Sequence, residues 1–321
     1  MGQEPLQLNA ANASMQALGE GRRAAMLAAT EAGRMGKPQP GIALEVPAQA
    51  RHLTFRLAPQ CSRSQLKLAL GKLRCDAGVV AGLGQTTLST LGLSVSGLRP
   101  FEALCGCGVS VPSTPSALWL WLRGEDRGAL FHAGRELTAA LGPTFIQESA
   151  VETFRYSTGR DLTGFEDGTE NPKGAKAAKA AFAADGSSFV AVQRWVHDLG
   201  AFGAMSDAQR NHVIGRDLKS NLELKQAPRQ AHVKRTAQED FDPPAFILRR
   251  SMAWVEGNEA GLQFLAFGHS TRAYEALLKR MLGMDDGLVD NLFQISRPVS
   301  GAFFWCPPVR GGRLDLAASG L

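Results

Sequence analysis

The sequence predicts an α+β fold with antiparallel sheets and helices at the periphery. Short segments alternate apolar and polar residues with a period of two, as half-buried strands do, whereas longer ones gather apolar residues on one helical face. Strand and helix do not alternate strictly along the chain. That order disfavours a parallel doubly wound sheet and favours antiparallel strands with helices segregated to one side.

Residues 51–57 (RHLTFRL) have strand period, and Ser62-Arg63-Ser64 then opens a helix over 65–73 with Leu66, Leu70 and Leu73 on one face. Residues 117–122 form a second strand and 125–141 a helix. Further on, 149–156 alternates again, 188–196 reads as a buried strand, and 206–213 as a short helix capped by Ser206. Residues 245–249 and 261–267 are apolar strands, 271–282 is an amphipathic helix, and 300–305 is a closing strand. The second half repeats the element mix of the first without a residue-level repeat, so a duplication is expected in architecture alone. The expected divisions are an N-terminal extension over 1–37 with a short helix at 15–32, a first half over 38–160, a second over 161–308, and a tail over 309–321.

A chain of 321 residues, 44% apolar and 20% charged, has the composition of a globular protein with a sizeable core. The net charge of +5 is scattered, and the aromatic 7% is not interleaved with basic residues as a single-strand groove requires, so no nucleic-acid partner is expected. No run approaches the roughly 20 apolar residues that span a bilayer. No membrane partner is expected, and a soluble, cytoplasmic protein is. Glu4, Glu20 and Glu31 interrupt any signal or transit pattern, and Leu6 stands where myristoylation wants Ser or Thr. The five cysteines are odd in number and lack paired CxxC motifs, which points to free thiols in a reducing compartment.

The segment GFEDGTENP, residues 164–172, compresses two glycines, three acids and an Asn-Pro stop into one loop. Glycine permits dihedrals closed to other residues and Asn171-Pro172 forbids helix at that junction, so the Asp167 carboxylate sits on a fixed backbone. Read alone, the loop is ordinary turn chemistry, or an oxygen-rich calcium loop. Of six histidines, His52, His132, His197, His212 and His269 have no chemical neighbourhood in the sequence. His232 lies in the polar segment QAHVKRTAQEDFDPPAF. Zinc needs three or four ligands that no spacing here supplies, whereas a haem iron is satisfied by one imidazole whose other nitrogen donates to a carboxylate or carbonyl.

These pieces coincide with a known family. GFEDGTENP, VIGR (213–216), AHVKRTAQEDFDP around His232, ILRRSM (247–252), GLQFLAFGHS, DGLVDNLFQISRPVSG and FFWCPP closely resemble, in order, the bacterial-type dye-decolorizing peroxidases over roughly residues 40–308. The resemblance implies two ferredoxin-like halves with antiparallel sheets and peripheral helices enclosing haem b (iron protoporphyrin IX). It implies His232 as the proximal iron ligand and Asp290 as its hydrogen-bonding partner. Asp167, in the GxxDG signature, falls on the distal acid, with Gly168 and Thr169 beside the cofactor. Arg249 falls on the distal arginine, Ser251 on a third distal polar position where some members carry Asn, and Arg216 on the arginine that pairs with a haem propionate. Ala253 departs from the Pro that many relatives have there.

The implied activity is reduction of hydrogen peroxide with oxidation of organic donors such as dyes and phenolic compounds. An aspartate with an ordinary pKa of about 3.9 is a competent base at lower pH than a histidine, so an acidic optimum is expected. A haem-binding or haem- and iron-handling protein without turnover is the alternative, and Asp167 with Arg249 argues against it, since a carrier needs no proton shuttle. Trp195, Trp254, Trp305, Tyr156 and Tyr274 are open to two readings, electron relay or packing. A homo-oligomer, dimer or higher, is expected. The tail RGGRLDLAASGL reads either as a docking peptide for an encapsulating shell protein or as a plain terminus.

Overall fold

Period-two patterning becomes one antiparallel sheet in the computed structural model, which describes residues 36–319. The helix expected at 15–32 lies outside the described residues. The strands are β1 (Gln49–Leu57), β2 (Val79–Leu83), β3 (Leu104–Gly106), β4 (Val109–Val111), β5 (Leu118–Gly124), β6 (Phe145–Phe154), β7 (Ser188–His197), β8 (Leu248–Arg249), β9 (Met252–Glu256), β10 (Glu259–Gly268), β11 (Ser296–Pro298), β12 (Ala302–Cys306) and a terminal hairpin of β13 (Val309–Arg310) and β14 (Arg313–Leu314). The helices are α1 (Pro40–Ala43), α2 (Arg63–Leu70), α3 (Gln85–Leu91), α4 (Arg127–Leu141), α5 (Ala175–Ala181), α6 (Leu199–Ala204), α7 (Asp207–Ile214), α8 (His232–Arg235) and α9 (Arg272–Met281).

The large sheet runs β11-β7-β12-β2-β5-β1-β6-β9-β10-β8, with β7 also paired to β10, so eight of its strands close into a ring; β3 and β4 form a separate hairpin. Within the ring, β2-β5-β1-β6 and β9-β10-β7-β12 follow the same order when each set is counted along the chain. Each is a four-stranded ferredoxin-like sheet. The two sets join at one residue pair on each side, Phe154 with Ala253 and Trp305 with Leu83.

The strand β5 shows why the ring needs two cores. Its LWLWL run sends Leu118, Leu120 and Leu122 to the outer core built with α2, α3, α4 and α9, and Trp119 and Trp121 to an inner cluster with Val190, Leu265, Phe267 and Phe304. Both faces are buried.

Helix starts follow capping chemistry. The side chains of Ser62 and Ser206 each accept from the backbone of a glutamine three residues on, which answers reciprocally, and so begin α2 and α7. The strand expected at 245–249 is reduced to β8. The N–H groups of Ala245 and Ile247 go instead to the backbone and side chain of Gln238, at 2.8 and 2.9 Å. Among the described residues no helix is long and apolar enough to cross a membrane.

Candidate active site

The loop 164–172 is shaped by its glycines and then fastened by its asparagine. Gly164 and Gly168 take left-handed conformations, φ +90° and +73°. A Cβ on Gly168 would also stand 2.7 Å from Asn171 Nδ2, so no larger residue fits. Thr169 closes the turn, its hydroxyl donating to the Glu166 carbonyl at 3.3 Å. The Asn171 amide nitrogen donates to the Arg249 carbonyl at 3.0 Å, and the Arg249 N–H donates to Asn171 Oδ1 at 2.8 Å. Asn171 thus takes the place of a strand neighbour for β8.

This brings Asp167 and Arg249 together. Arg249 Nη1 lies 3.3 Å from Asp167 Oδ1, and both side chains are mostly buried, 16% and 18% exposed. Arg249 Nε is buried without a protein partner. Its neighbour Arg250 turns the other way and donates to the Ala43 carbonyl at 2.9 Å. Ser251 sits at the break between β8 and β9, where the Leu265 N–H, lacking a ladder acceptor, reaches the Ser251 hydroxyl at 3.4 Å. Each loop acid meets its own arginine: Glu166 pairs with Arg160, Asp167 with Arg249 and Glu170 with Arg216. Carboxylates spread over three cations do not make a calcium cage. Among the described residues no group of three His, Cys, Asp or Glu side chains converges as a metal cluster.

Arg216 follows α7 and is nearly buried; besides Glu170 it donates to the Asn221 carbonyl at 3.0 Å. The preceding Gly215 has φ +92° and lies so close to Val233 that a Cβ there would collide. This contact packs the Arg216 turn against α8, which His232 begins.

His232 Nδ1 is 2.8 Å from Asp290 Oδ2, and Asp290 is buried. The second Asp290 oxygen accepts the Leu292 N–H at 2.8 Å, which fixes the carboxylate. The His232 carbonyl accepts from the Thr236 N–H and hydroxyl, at 3.0 and 2.7 Å. Its Nε2 has no hydrogen bond among the described residues, and the side chain is 21% exposed. Beside it, Arg235 holds Asp286 with both guanidinium ends at 2.8 and 2.7 Å, and these bonds with the Leu288 N–H bring the Asp286 carboxyl down to about 2.

Sequence reasoning passed over His197. The structure places it between Asp161 Oδ1, 2.8 Å from Nε2, and the Ser296 hydroxyl, 2.7 Å from Nδ1. Asp161 also accepts the Thr163 N–H at 2.9 Å and anchors the turn that leads into Gly164. Burial works against its charge, yet the His197 and Thr163 hydrogen bonds prevail and hold its carboxyl below the ordinary value. No spacing rule joins residues 161, 197 and 296. The pairing of β11 with β7 sets Ser296 opposite His197, and the 161–164 turn brings Asp161 to the ring's other nitrogen. Of the proposed relay residues, Trp195, Trp254, Trp305 and Tyr274 are buried and Tyr156 is exposed.

The family model described as Dyp-type peroxidase, C-terminal, matches residues 158–311. A dye-decolorizing peroxidase of Mycolicibacterium paratuberculosis is 32% identical over 231 residues, 67% of this chain and 65% of the relative, so the chain spans just under two thirds of that protein. One of Rhodococcus erythropolis is 31% identical over 261 residues, 76% of each. Among solved structures, DyPB from Rhodococcus jostii superposes with a TM-score of 0.76 at 27% identity, covering 84% of this chain and 96% of that one. A dye-decolorizing protein from V. cholerae gives 0.75 at 28%, covering 83% and 96%. Two ferredoxin-like sheets, an acid-arginine pair locked to one loop and a carboxylate-backed imidazole therefore stand in a chain that belongs to the dye-decolorizing peroxidase family.

Proposed function

We propose that the protein is a haem b peroxidase that reduces hydrogen peroxide and oxidises organic donors such as dyes and phenolic compounds. The observation that carries this reading is His232: Asp290 engages Nδ1 and leaves Nε2 without a hydrogen bond, as a haem ligand requires. The residues fit the group. His232 would hold the iron, and the Arg216 guanidinium, which meets Glu170, would be the cation for a propionate. Gly168 and Thr169 would line the cofactor edge. The similar structures of DypB variants from Rhodococcus jostii in complex with heme support the cofactor.

When bound, haem supplies the redox-active iron. The protein's own part is to move one proton and to steady charge. Asp167 accepts a proton from one oxygen of hydrogen peroxide and returns it to the other, which leaves as water; this needs an approach of about 2.6–3.2 Å or one bridging water. Arg249 carries a permanent charge and offers Nη1 beside Asp167, so it stabilises the negative charge that develops as the O–O bond breaks. Ser251 adds a hydroxyl on the same strand edge. Asp290 holds the Nδ1 side of His232, so Nε2 would be the nitrogen available to the iron.

A dye-oxidation assay on haem-loaded protein, with and without hydrogen peroxide, tests the function. Peroxide-dependent turnover is expected, and a loaded protein that leaves the dye untouched would be a haem carrier instead.

A further inference from the structure

Two adjoining open clefts, about 530 and 520 Å³, lie beside Phe293 and Arg297, which line both. None of Asp167, Arg249, Ser251, Arg216 and His232 lines either one. The β3–β4 hairpin supplies Val109 and Ser110 to the first, and the ends of β7 and β11 supply His197 and Ser296 to the second. Each has room for a small molecule.

The chemistry of the shared wall is specific. Arg297 is exposed on β11 and, among the described residues, has no side-chain hydrogen bond or ion pair. Among the described residues, most arginines are engaged by carboxylates or carbonyls. Asp198, the acid in the lining, is occupied in capping α6, its Oδ1 accepting the Ala201 N–H at 2.7 Å. The Phe293 ring lies nearly parallel to Trp195, with centroids 5.7 Å apart and 24° between planes, and the Trp195 indole is held by Gln193 at 3.1 Å. A rigid flat apolar surface therefore stands next to a free guanidinium, whose planar fork matches a carboxylate or sulfonate.

We propose that this double cleft binds a planar aromatic oxyanion, with the charged group on Arg297 and the ring against Phe293. For the reaction proposed above, it holds an organic donor outside the peroxide pocket; the binding itself does not depend on that reading.

Isothermal titration calorimetry of the full chain, without peroxide, tests it with 2-naphthalenesulfonate and 2-naphthoate as ligands and 2-naphthol as the neutral control. Both anions are expected to bind saturably, with 2-naphthol at least about tenfold weaker, the loss of one charge-assisted hydrogen bond. Arg297→Gln, an exposed change that leaves the melting temperature in place, is expected to weaken both anions by at least about tenfold. Phe293→Leu is expected to weaken all three, and binding is expected to quench tryptophan fluorescence. Equal anion affinity in wild type and Arg297→Gln would overturn the site. Dissociation of an oligomer in Arg297→Gln with unchanged ligand affinity would assign this face to a second copy instead.

Discussion

The side chain of Asn171 and the backbone of Arg249, 78 residues apart in sequence, form a reciprocal pair of hydrogen bonds at 3.0 and 2.8 Å. Through them the loop bearing Asp167 and the strand bearing Arg249 become one unit. Asn171→Ala removes both bonds, so we expect a stability loss of about 1–3 kcal/mol, read as a lower melting temperature. Misplacing the acid from the arginine should also slow the reaction with peroxide, by up to about 10²-fold in stopped flow. Asn171→Asp, which keeps the acceptor, should fall between the two.

The proposed division of labour ranks two further variants. Water partly replaces a proton shuttle, but nothing replaces the fixed charge of Arg249. Arg249→Leu should therefore lower the rate of the peroxide step by about 10²–10³-fold, and by more than Asp167→Asn does. Stopped-flow absorbance reads both rates, and the reverse ranking contradicts the assignment.

Acid should weaken the fold at pH values an aspartate base still tolerates. His52 is buried in the ring, stacked on Trp119 and Trp121 with centroids 5.9 and 6.1 Å away, and burial lowers its pKa from 6.5 to about 3. Between those values the unfolded chain binds a proton that the folded chain refuses, so stability falls as pH drops from 6.5 towards 3 and is unaffected above 6.5. The depressed carboxyls of Asp161 and Asp286 act elsewhere, withdrawing stability only below their ordinary 3.8. Melting temperatures from pH 7 to 4.5 should decline in wild type and decline less in His52→Gln, although that variant starts lower. A parallel slope in the two would remove His52 from the account.

His197 should matter through the loop it braces. In His197→Leu, Asp161 Oδ1 loses its hydrogen bond at 2.8 Å while the carboxylate stays mostly buried, an expected cost of about 1–3 kcal/mol. His197→Gln retains an amide donor for Asp161 and should recover part of it. Thermal unfolding at pH 7 distinguishes them, and identical melting temperatures in wild type and His197→Leu would exclude the brace.

What was legible in the sequence divides along physical lines. The long strand β1 carries its period in its own residues, β7 and β10 carry continuous apolar runs, and Ser62 and Ser206 announce helix starts locally. Short β2, β8, β9 and β11 exist because a neighbour pairs with them, and a run such as VVAGL carries no period of its own. Local residues likewise said that the loop at 164–172 holds a carboxylate rigidly, but not which cation meets it. Arg249 became its partner through Asn171, and the resemblance named the pair where spacing did not. His197 escaped because its partners arrive from the β11 pairing and the Asp161 turn. The paired carboxylate behind His232 comes from 58 residues downstream, beyond any local pattern.

The most direct test of the central claim is the absorption spectrum of the protein titrated with haem, before and after hydrogen peroxide, in wild type and His232→Ala. The account predicts that wild type takes up haem with a Soret band that changes on adding peroxide, and that His232→Ala retains no stable haem. Full haem occupancy in His232→Ala with the same peroxide response would contradict it, and the ligand would have to be sought elsewhere.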